Sequence, residues 1–318
     1  MGAYARRHCL RFSRALVMPN TVPPIASGAE IAAYRAEIAA AIGETGSALE
    51  PLMTFKLLPG MSARTVRDCA AAGAIAGKYY PAGSTTNAQD GVSDPSEIEG
   101  ALAAMEEAGI VLSIHAEDPA SPVLEREAAF IPVLERIIGS HPKLKMVVEH
   151  ISTAALLGFV LASPERVAGG ITAHHLVLSL DDFMGDNLDP HLYCKPTLKR
   201  AADRDALREA VFRGERKLFF GSDSAPHPRA AKECAHPASG IYSSPCAVEA
   251  LACLFDEAGA LDRLEAFLSL RGADFYGLPR TKGILELKRQ PYLVPREADG
   301  AVPMLAGKSL VWSAVRVQ

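Results

Sequence analysis

Short apolar runs that end in polar residues recur seven times along the chain, and each of them predicts a β-strand. Between these runs, longer stretches repeat apolar residues at spacings of three and four, which predicts helices. Strands that are apolar on both faces and alternate with helices are typical of a parallel sheet covered by helices, so the pattern predicts an α/β fold. The predicted strands are RALVMPN, LMTFKLL, AIAGKYYP, VLSIHAE, KMVVEH, GITAHHL and KLFFGSD.

The helical pattern fills the intervals between strands and continues after the last of them. Asp94 and Ser96 offer an N-cap for the second predicted helix. A closed barrel of this type has eight strands, and the chain begins inside what corresponds to the first helix. The sequence therefore predicts a TIM (β/α)8-type barrel with its first strand missing, as a single domain over residues 1–318 with a small appendage from about residue 280 onward. The predicted helices are EIAAYRAEIAAAI, PSEIEGALAAMEEAG, VLEREAAFIPVLERII, DRDALREAVFRG, CAVEALACLFDEAG and LDRLEAFLSL.

Composition narrows the classes of function. The 318 residues are 49% hydrophobic with a formal net charge of -4, which lacks the basic footprint of nucleic-acid binding and favours small-molecule chemistry. The apolar runs are shorter than a membrane span, and the arginine-rich N-terminus has no apolar core of a signal peptide. Six cysteines without C-x-x-C spacing are expected to be thiols in the cytoplasm.

Polar residues that follow apolar strands are the candidate chemistry. His115 and His150 end two successive predicted strands, and neutral imidazole is a common ligand of zinc-like ions. Asp223 ends the last strand, where a carboxylate can bind metal and take a proton from water, and His227 follows four residues later. A single such residue is more often a cap or a structural histidine, so the combination carries the prediction of a metal-assisted hydrolase.

Lys78 lies at the end of the apolar strand AIAGKYYP. A lysine there must reach solvent, form an ion pair or lose its charge, because desolvation favours the neutral amine. A neutral amine can add carbon dioxide and become a carbamate, an anion able to bridge two metals. The alternative is a lysine that reaches solvent or is ion-paired.

Motifs spread over nearly the whole chain resemble the dihydroorotases, of the shorter bacterial type within the amidohydrolase superfamily. The resemblance implies a barrel holding two zinc ions bridged by carboxylated Lys78, with Asp223 on the buried ion and His115 and His150 on the exposed one. The motifs are LVMPNTVPP, KYYPAGSTTN, IHAED, VVEHIST, ITAHHL, PHLYCKPTLKR, FFGSDSAPH, FYGLP and LAGKSLVWS.

The same resemblance implies the substrate contacts. Asn20 and His227 correspond to contacts of the substrate carboxylate, Thr85 and Thr86 to the loop that closes over the ligand, and Lys195 to a further substrate-binding position. The family's HxHLRDG segment, which supplies two metal ligands and an arginine, has no counterpart in the chain. We therefore expect the second metal site, and with it the activity of the chain as given, to be impaired.

The reaction implied is the reversible, zinc-dependent interconversion of N-carbamoyl-L-aspartate and L-dihydroorotate in pyrimidine (UMP) biosynthesis, with Asp223 as the acid–base residue. Two alternatives stay open. Another cyclic amidohydrolase, such as a hydantoinase or allantoinase, shares the metal centre, and a non-catalytic homologue would act as a protein partner. The sequence leaves open whether the chain forms a homodimer.

Overall fold

The computed structural model describes residues 2–43 and 49–317. The chain divides into two compact units. The N-terminal unit comprises Arg14–Glu149 and Gly158–Gly169, and the C-terminal unit comprises Met1–Ser13, His150–Leu157 and Gly170–Gln318. The single domain expected over residues 1–318 stays a prediction. Within the described residues, no helix is both long and apolar enough to cross a membrane.

The main sheet has seven strands in chain order, and neighbouring strands from the first to the sixth pair in parallel. Every predicted strand overlaps an observed one, and the fourth to sixth strands are buried along their whole length. Their continuous apolar sequences are therefore explained by burial of both faces of these parallel strands. The strands are β1 (Arg14–Val17), β2 (Glu50–Lys56), β3 (Ala74–Tyr79), β4 (Val111–Ile114), β5 (Met146–Val148), β6 (Val167–Ile171) and β7 (Leu218–Phe220).

Helices follow the strands along the chain, and local sequence signals set their ends. Ser62 accepts a hydrogen bond from the Thr65 amide at the start of the third helix, 3.1 Å away. Asp94 accepts from the Ser96 amide at 2.9 Å, as the sequence predicted. The helices are α1 (Gly2–Cys9), α2 (Gly28–Gly43), α3 (Ala63–Ala71), α4 (Glu99–Ala108), α5 (Arg126–Ser140), α6 (Ala154–Ala162), α7 (Ala173–Val177), α8 (Leu180–Met184), α9 (Ala201–Arg213), α10 (Arg229–Lys232), α11 (Ala247–Glu257) and α12 (Arg271–Tyr276).

The last part of the chain forms two small antiparallel ladders. They correspond to the weakly alternating segment expected as an appendage. Trp312 donates its indole N–H to Asp256 at the end of α11, and Arg289 donates to the same carboxylate, so charged and aromatic groups tie this segment to the helix. The strands are β8 (Ile284–Lys288), β9 (Tyr292–Leu293), β10 (Ser309–Leu310) and β11 (Ser313–Val317).

One predicted strand is displaced. The stretch GITAHHL was expected to be extended, but β6 ends at Ile171 and α7 begins two residues later. Thr172 caps that helix by accepting from the His175 amide, so the polar Thr172 competes with continued strand pairing. His174 and His175 therefore lie on a short helix rather than on a strand.

The side chain of His174 is buried. It is fully inaccessible, and neither ring nitrogen has a hydrogen-bond partner among the residues that the structure describes. Burial lowers its pKa to about 3, because the charged imidazolium would lose its hydration. In the unfolded chain the same side chain gains a proton near pH 6.5.

We expect His174→Leu to reduce the acid sensitivity of folding. Between pH 7 and pH 5 the His174 side chain binds a proton in the unfolded state but not in the folded state. The free energy of unfolding therefore falls as the pH falls, and this group accounts for about 2 kcal/mol of the decrease. Urea unfolding at both pH values measures the difference, with the exposed His236→Leu as control. An equal loss of stability between pH 7 and pH 5 in the His174→Leu variant and the parent chain would contradict the assignment.

Candidate active site

The four predicted metal ligands all lie at the carboxyl ends of main-sheet strands. Lys78 is the penultimate residue of β3, and His115 follows β4 directly. His150 comes two residues after β5, and Asp223 three residues after β7. Lys78 and His115 belong to the N-terminal unit, whereas His150 and Asp223 belong to the C-terminal unit. Strand ends of this kind carry the chemistry of parallel α/β enzymes.

Lys78 is buried at the centre of its unit. Its side chain is 2% exposed, and its Nζ lies 5.2 Å from the centre of the Tyr80 ring. The preceding Gly77 has no room for a side chain, because a Cβ there would lie 2.9 Å from both Met105 and Phe55. The backbone of β3 is thus packed tightly against the core at the residue before Lys78, on the face opposite to the Lys78 side chain.

His115 follows β4, the strand that pairs with β3. Its amide donates to the Tyr79 carbonyl at 3.0 Å, and its ring lies 6.4 Å from that of Tyr80. The ring Nε2 is 2.7 Å from a carboxylate oxygen of Glu117, and both side chains are 1% exposed. A carboxylate that holds one imidazole nitrogen orients the other toward a metal, so Nδ1 is the nitrogen suited to ligation.

His150 and Asp223 share an uncommon backbone conformation. Their φ angles are +41° and +38°, in the left-handed region that side chains other than glycine seldom adopt. Such conformations cost free energy and persist where surrounding contacts hold them, often at functional sites. Both residues were singled out from the sequence as ligands, and both turn sharply as their strands end.

Hydrogen bonds clamp the turn around Asp223. Ser243 donates its hydroxyl to the Ser222 carbonyl at 3.1 Å, and the Ser224 hydroxyl accepts from the amides of Ser243 and Ser244 at 3.2 and 3.1 Å. The neighbouring residues on both sides of Asp223 are therefore fixed to the segment that leads into α11. The chain immediately before Asp223 also meets His8, whose Nε2 lies 3.3 Å from the Ser222 hydroxyl.

His227 lies near a loop whose backbone carbonyls accept hydrogen bonds from the buried Lys232. Its Nε2 donates to the Ser239 carbonyl at 3.1 Å, and burial lowers its pKa. Gly240, the residue after Ser239, has φ +151°, and a Cβ there would lie 2.5 Å from the Ala225 carbonyl oxygen. Lys232 donates to the carbonyls of Tyr193, Ala238 and Gly240, and burial lowers its pKa to about 8.

Asn20 contacts the loop that contains Thr85 and Thr86. Its side-chain amide donates to the Thr86 carbonyl at 3.3 Å, and its own carbonyl accepts from the Asn87 side chain at 3.0 Å. The structure thus brings Asn20 and Thr86 together, as a shared substrate-binding region requires. Lys195, the remaining predicted contact, lies in the C-terminal unit and precedes a cis peptide bond to Pro196.

A second group of metal-competent residues has a different explanation. The ligand atoms of His174, His175 and Cys194 lie within 4.8 Å of one another. However, His175 Nε2 donates to the Pro196 carbonyl, its Nδ1 is 2.9 Å from the Thr172 hydroxyl, and the Cys194 thiol donates to the same carbonyl. A ring nitrogen that carries a proton cannot bind metal, so His175 and Cys194 form a hydrogen-bonded part of the core, with the His174 ring packed against that of His175.

The sequence interpretation missed two lysines near these positions. Lys56 is the last residue of β2 and Lys78 the penultimate residue of β3, so the same signal, a lysine at the end of an apolar strand, would have found it. Lys232 gave no such signal, because it lies in the short helix α10 and one of its three acceptors, Tyr193, is 39 residues away. For Glu117, two residues after His115, the sequence favours a supporting contact or an ion pair over ligation, and the structure shows its carboxylate hydrogen-bonded to the His115 ring.

The comparisons with known proteins agree with one another. The Amidohydrolase family model matches residues 56–303. The dihydroorotase of Teredinibacter turnerae is 43% identical over 308 residues, covering 95% of this chain and 89% of that protein. The crystal structure of Saccharomyces cerevisiae dihydroorotase in complex with 5-fluoroorotic acid matches with a TM-score of 0.90 at 30% identity, covering 99% and 92% of the two chains.

A more distant match tests the fold alone. The L-hydantoinase of Arthrobacter aurescens has a TM-score of 0.84 at 17% identity, over 98% of this chain and 77% of that one. Together these likenesses confirm the TIM-barrel fold class and the resemblance that was drawn from the motifs.

We expect Glu117→Gln to weaken metal binding at His115. The amide can no longer offer a charged acceptor to Nε2, and loss of such an outer contact typically costs about 10- to 100-fold in metal affinity. Titration with Zn²⁺ against a competing chelator measures the change. Glu149→Gln is the matched control, since Glu149 accepts from Ser113 instead of a histidine. Equal affinity in both variants and the parent would contradict the role of Glu117.

Proposed function

The chain belongs to the amidohydrolase family and, within it, to the dihydroorotases, and on this premise we propose that it interconverts N-carbamoyl-L-aspartate and L-dihydroorotate in pyrimidine biosynthesis. The observation that carries the proposal is a pair of buried side chains at the ends of paired strands: Lys78 near the end of β3, and His115 directly after β4 with its ring hydrogen-bonded to Glu117. A lysine at such a position is suited to carboxylation, and an oriented histidine at the end of the neighbouring strand is suited to metal. We also propose the cytoplasm as its compartment, in keeping with six cysteines that form no disulfide.

We propose Zn²⁺ as the metal. Its ligands would be Lys78 in the carbamate form, together with His115, His150 and Asp223. The donor set fits, because it combines imidazole nitrogens with anionic oxygens and His115 is already oriented through Glu117. When bound, zinc polarises the amide carbonyl and lowers the pKa of water. The remaining work falls to side chains of the chain itself.

Asp223 is the proton carrier in this proposal. In the hydrolytic direction water adds to the ring amide carbonyl, the carbon–nitrogen bond breaks, and the departing nitrogen needs a proton. Asp223 takes the proton from the attacking water and delivers it to that nitrogen, and the reverse transfer serves ring closure. The hydrogen bonds of Ser222 and Ser224 support this role, because they hold the carboxylate's backbone in one orientation.

The substrate carboxylate is assigned to Asn20, His227 and Lys195, with Thr85 and Thr86 in the covering loop. The Asn20 amide carries two N–H groups and uses one on Thr86, so the other can serve a ligand. His227 donates its Nε2 proton to Ser239, so a contact with a carboxylate requires a proton on Nδ1 as well. A negatively charged ligand favours that protonation, which offsets the effect of burial.

Two alternatives are separated by substrate choice. The hydantoinase likeness is one of fold, whereas 5-fluoroorotic acid, the ligand of the yeast dihydroorotase, has a carboxylate on a pyrimidine ring. We expect L-dihydroorotate to be hydrolysed at least about a hundredfold faster than 5,6-dihydrouracil, which lacks the carboxylate, because unpaired polar groups penalise the smaller ligand. The reverse preference would favour a hydantoinase-type activity, and no turnover of either would favour a non-catalytic homologue.

In a chain completed with an HxHLRDG-bearing first strand, we expect Asp223→Asn to lower turnover of L-dihydroorotate by about 10²-fold or more, since acid–base catalysis alone contributes about 10²- to 10⁴-fold. Steady-state hydrolysis measures the effect. Asp274→Asn is the control, because that carboxylate forms an exposed pair with Arg280. A loss of less than tenfold for Asp223→Asn would show that another group carries the proton.

We expect the 318-residue chain to hold one Zn²⁺ tightly and a second one weakly. Lys78, His115 and His150 offer three ligands to one ion, whereas Asp223 and the shared lysine offer two to the other. Elemental analysis after dialysis against a mild chelator measures the content. Two tightly held equivalents per chain would contradict this expectation.

A further inference from the structure

A second buried lysine lies beside Lys78 and is not used by the proposed reaction. Lys56 is the last residue of β2, is 1% exposed and pairs in register with Lys78 on β3. Residues in register on adjacent parallel strands project from the same face of the sheet, so both lysines point the same way. The Tyr80 ring lies near both ammonium nitrogens, at 6.0 Å from Lys56 and 5.2 Å from Lys78.

The ammonium group of Lys56 contacts two hydrogen-bond acceptors. Its Nζ donates to the Asn87 carbonyl at 2.7 Å and to the carboxylate of Asp90. Both acceptors belong to the segment Pro81–Val92, which leaves the end of β3 and carries Thr85 and Thr86. A buried ammonium with a carbonyl and a carboxylate as acceptors has its charge balanced, and it holds the segment to the sheet.

The segment is also compact in itself. The Gly83 amide donates to Ala88 at 2.7 Å, the Gly91 amide to Ala88 at 3.0 Å, and the Val92 amide to Tyr80 at 2.9 Å. Gly91 lies so close to the Tyr80 carbonyl that a Cβ would come within 2.4 Å of it. The loop is thus closed on itself at its base, and Lys56 reaches it from the neighbouring strand.

Asn87 links this anchor to Asn20. Its φ is +56°, a left-handed conformation that asparagine tolerates, and in this position its carbonyl accepts from Lys56 while its side chain donates to the Asn20 carbonyl. Asn20 in turn donates to Thr86, the next residue back along the loop. Lys56, Asn87, Asn20 and Thr86 are therefore joined through consecutive hydrogen bonds.

We propose that Lys56 is a positioning residue that anchors the Thr85–Thr86 loop and, through Asn87, sets the place of Asn20. The inference deepens the proposed function, on which its kinetic consequence rests, whereas its structural consequence does not depend on any substrate. Lys56 touches neither the reacting atoms nor the assigned substrate contacts directly. Its effect passes through the backbone of Asn87.

Hydrogen–deuterium exchange tests the anchor without substrate. In Lys56→Met, whose unbranched side chain is one atom shorter and has no donor, amides in the peptide covering residues 82–92 should exchange about ten- to a hundredfold faster. Lys56→Arg should restore protection, because a guanidinium can reach both acceptors. Glu50→Gln at the other end of β2, which loosens an ion pair with Arg14, should leave the peptide unchanged.

Asp90→Ala provides a second test if Lys56→Met does not fold. The Asp90 side chain is about half exposed, so its removal does not open the core, and exchange in residues 82–92 should rise by a smaller factor. If the Lys56→Met chain folds and the peptide exchanges at the parent rate, the proposal is overturned. If Lys56→Met does not fold, an unchanged exchange rate in Asp90→Ala overturns it.

Kinetics separates positioning from general destabilisation. With L-dihydroorotate, Lys56→Met should raise KM about tenfold or more with a smaller fall in kcat, and Lys56→Arg should recover most of KM. A fall in kcat at unchanged KM would contradict the link to Asn20. If the parent chain turns over no dihydroorotate, the proposed function fails while the exchange experiment still decides whether Lys56 anchors the loop.

Discussion

Burial of ionisable side chains at the ends of apolar strands is the constraint on which the candidate site depends. β3 is buried over nearly all its length, so Lys78 leaves the sheet into an environment that withholds hydration from an ammonium group. Loss of hydration in general favours the neutral amine, and a neutral amine is what the proposed carboxylation needs. A lysine on an exposed strand would stay protonated and hydrated, and the proposed metal bridge would have no chemical basis.

The two neighbouring lysines have different proposed roles. Lys56 and Lys78 share a register position and lie near the Tyr80 ring, and Lys56 has a carboxylate and a carbonyl that balance its charge. Those acceptors come from the loop that folds back after β3. A single loop thus stabilises the Lys56 ammonium while it carries Thr85 and Thr86, so anchoring and the proposed substrate contacts lie in one segment.

Backbone conformation makes a related contribution in the C-terminal unit. His150 and Asp223 both adopt left-handed φ values, which an isolated strand end would abandon for lower free energy. At Asp223 the neighbouring serines are tied by hydrogen bonds to the segment before α11, and these contacts offset the cost. The backbone conformation of Asp223, the proposed proton carrier, therefore depends on residues about twenty positions later in the chain.

The sequence by itself determined the alternation of strands and helices, because apolar runs and three- and four-residue spacings record which faces are buried. It also determined the candidates Lys78, His115, His150 and Asp223, since each is a chemically competent residue that closes an apolar run. It failed at His174 and His175, where a threonine cap ended β6 early and began a helix. Periodicity over so few residues does not distinguish the two structures.

Only the tertiary structure decided which partners each candidate has. Glu117 orients the ring of His115 two residues away, whereas Lys56 reaches Asn87 and Asp90 across 31 and 34 residues and Lys232 reaches Tyr193 across 39. The contacts between distant residues have no period or motif, because such hydrogen-bond partners are set by where strands and loops meet in space. The sequence determines which groups are available for chemistry, and the fold decides which of them are charged, oriented and held.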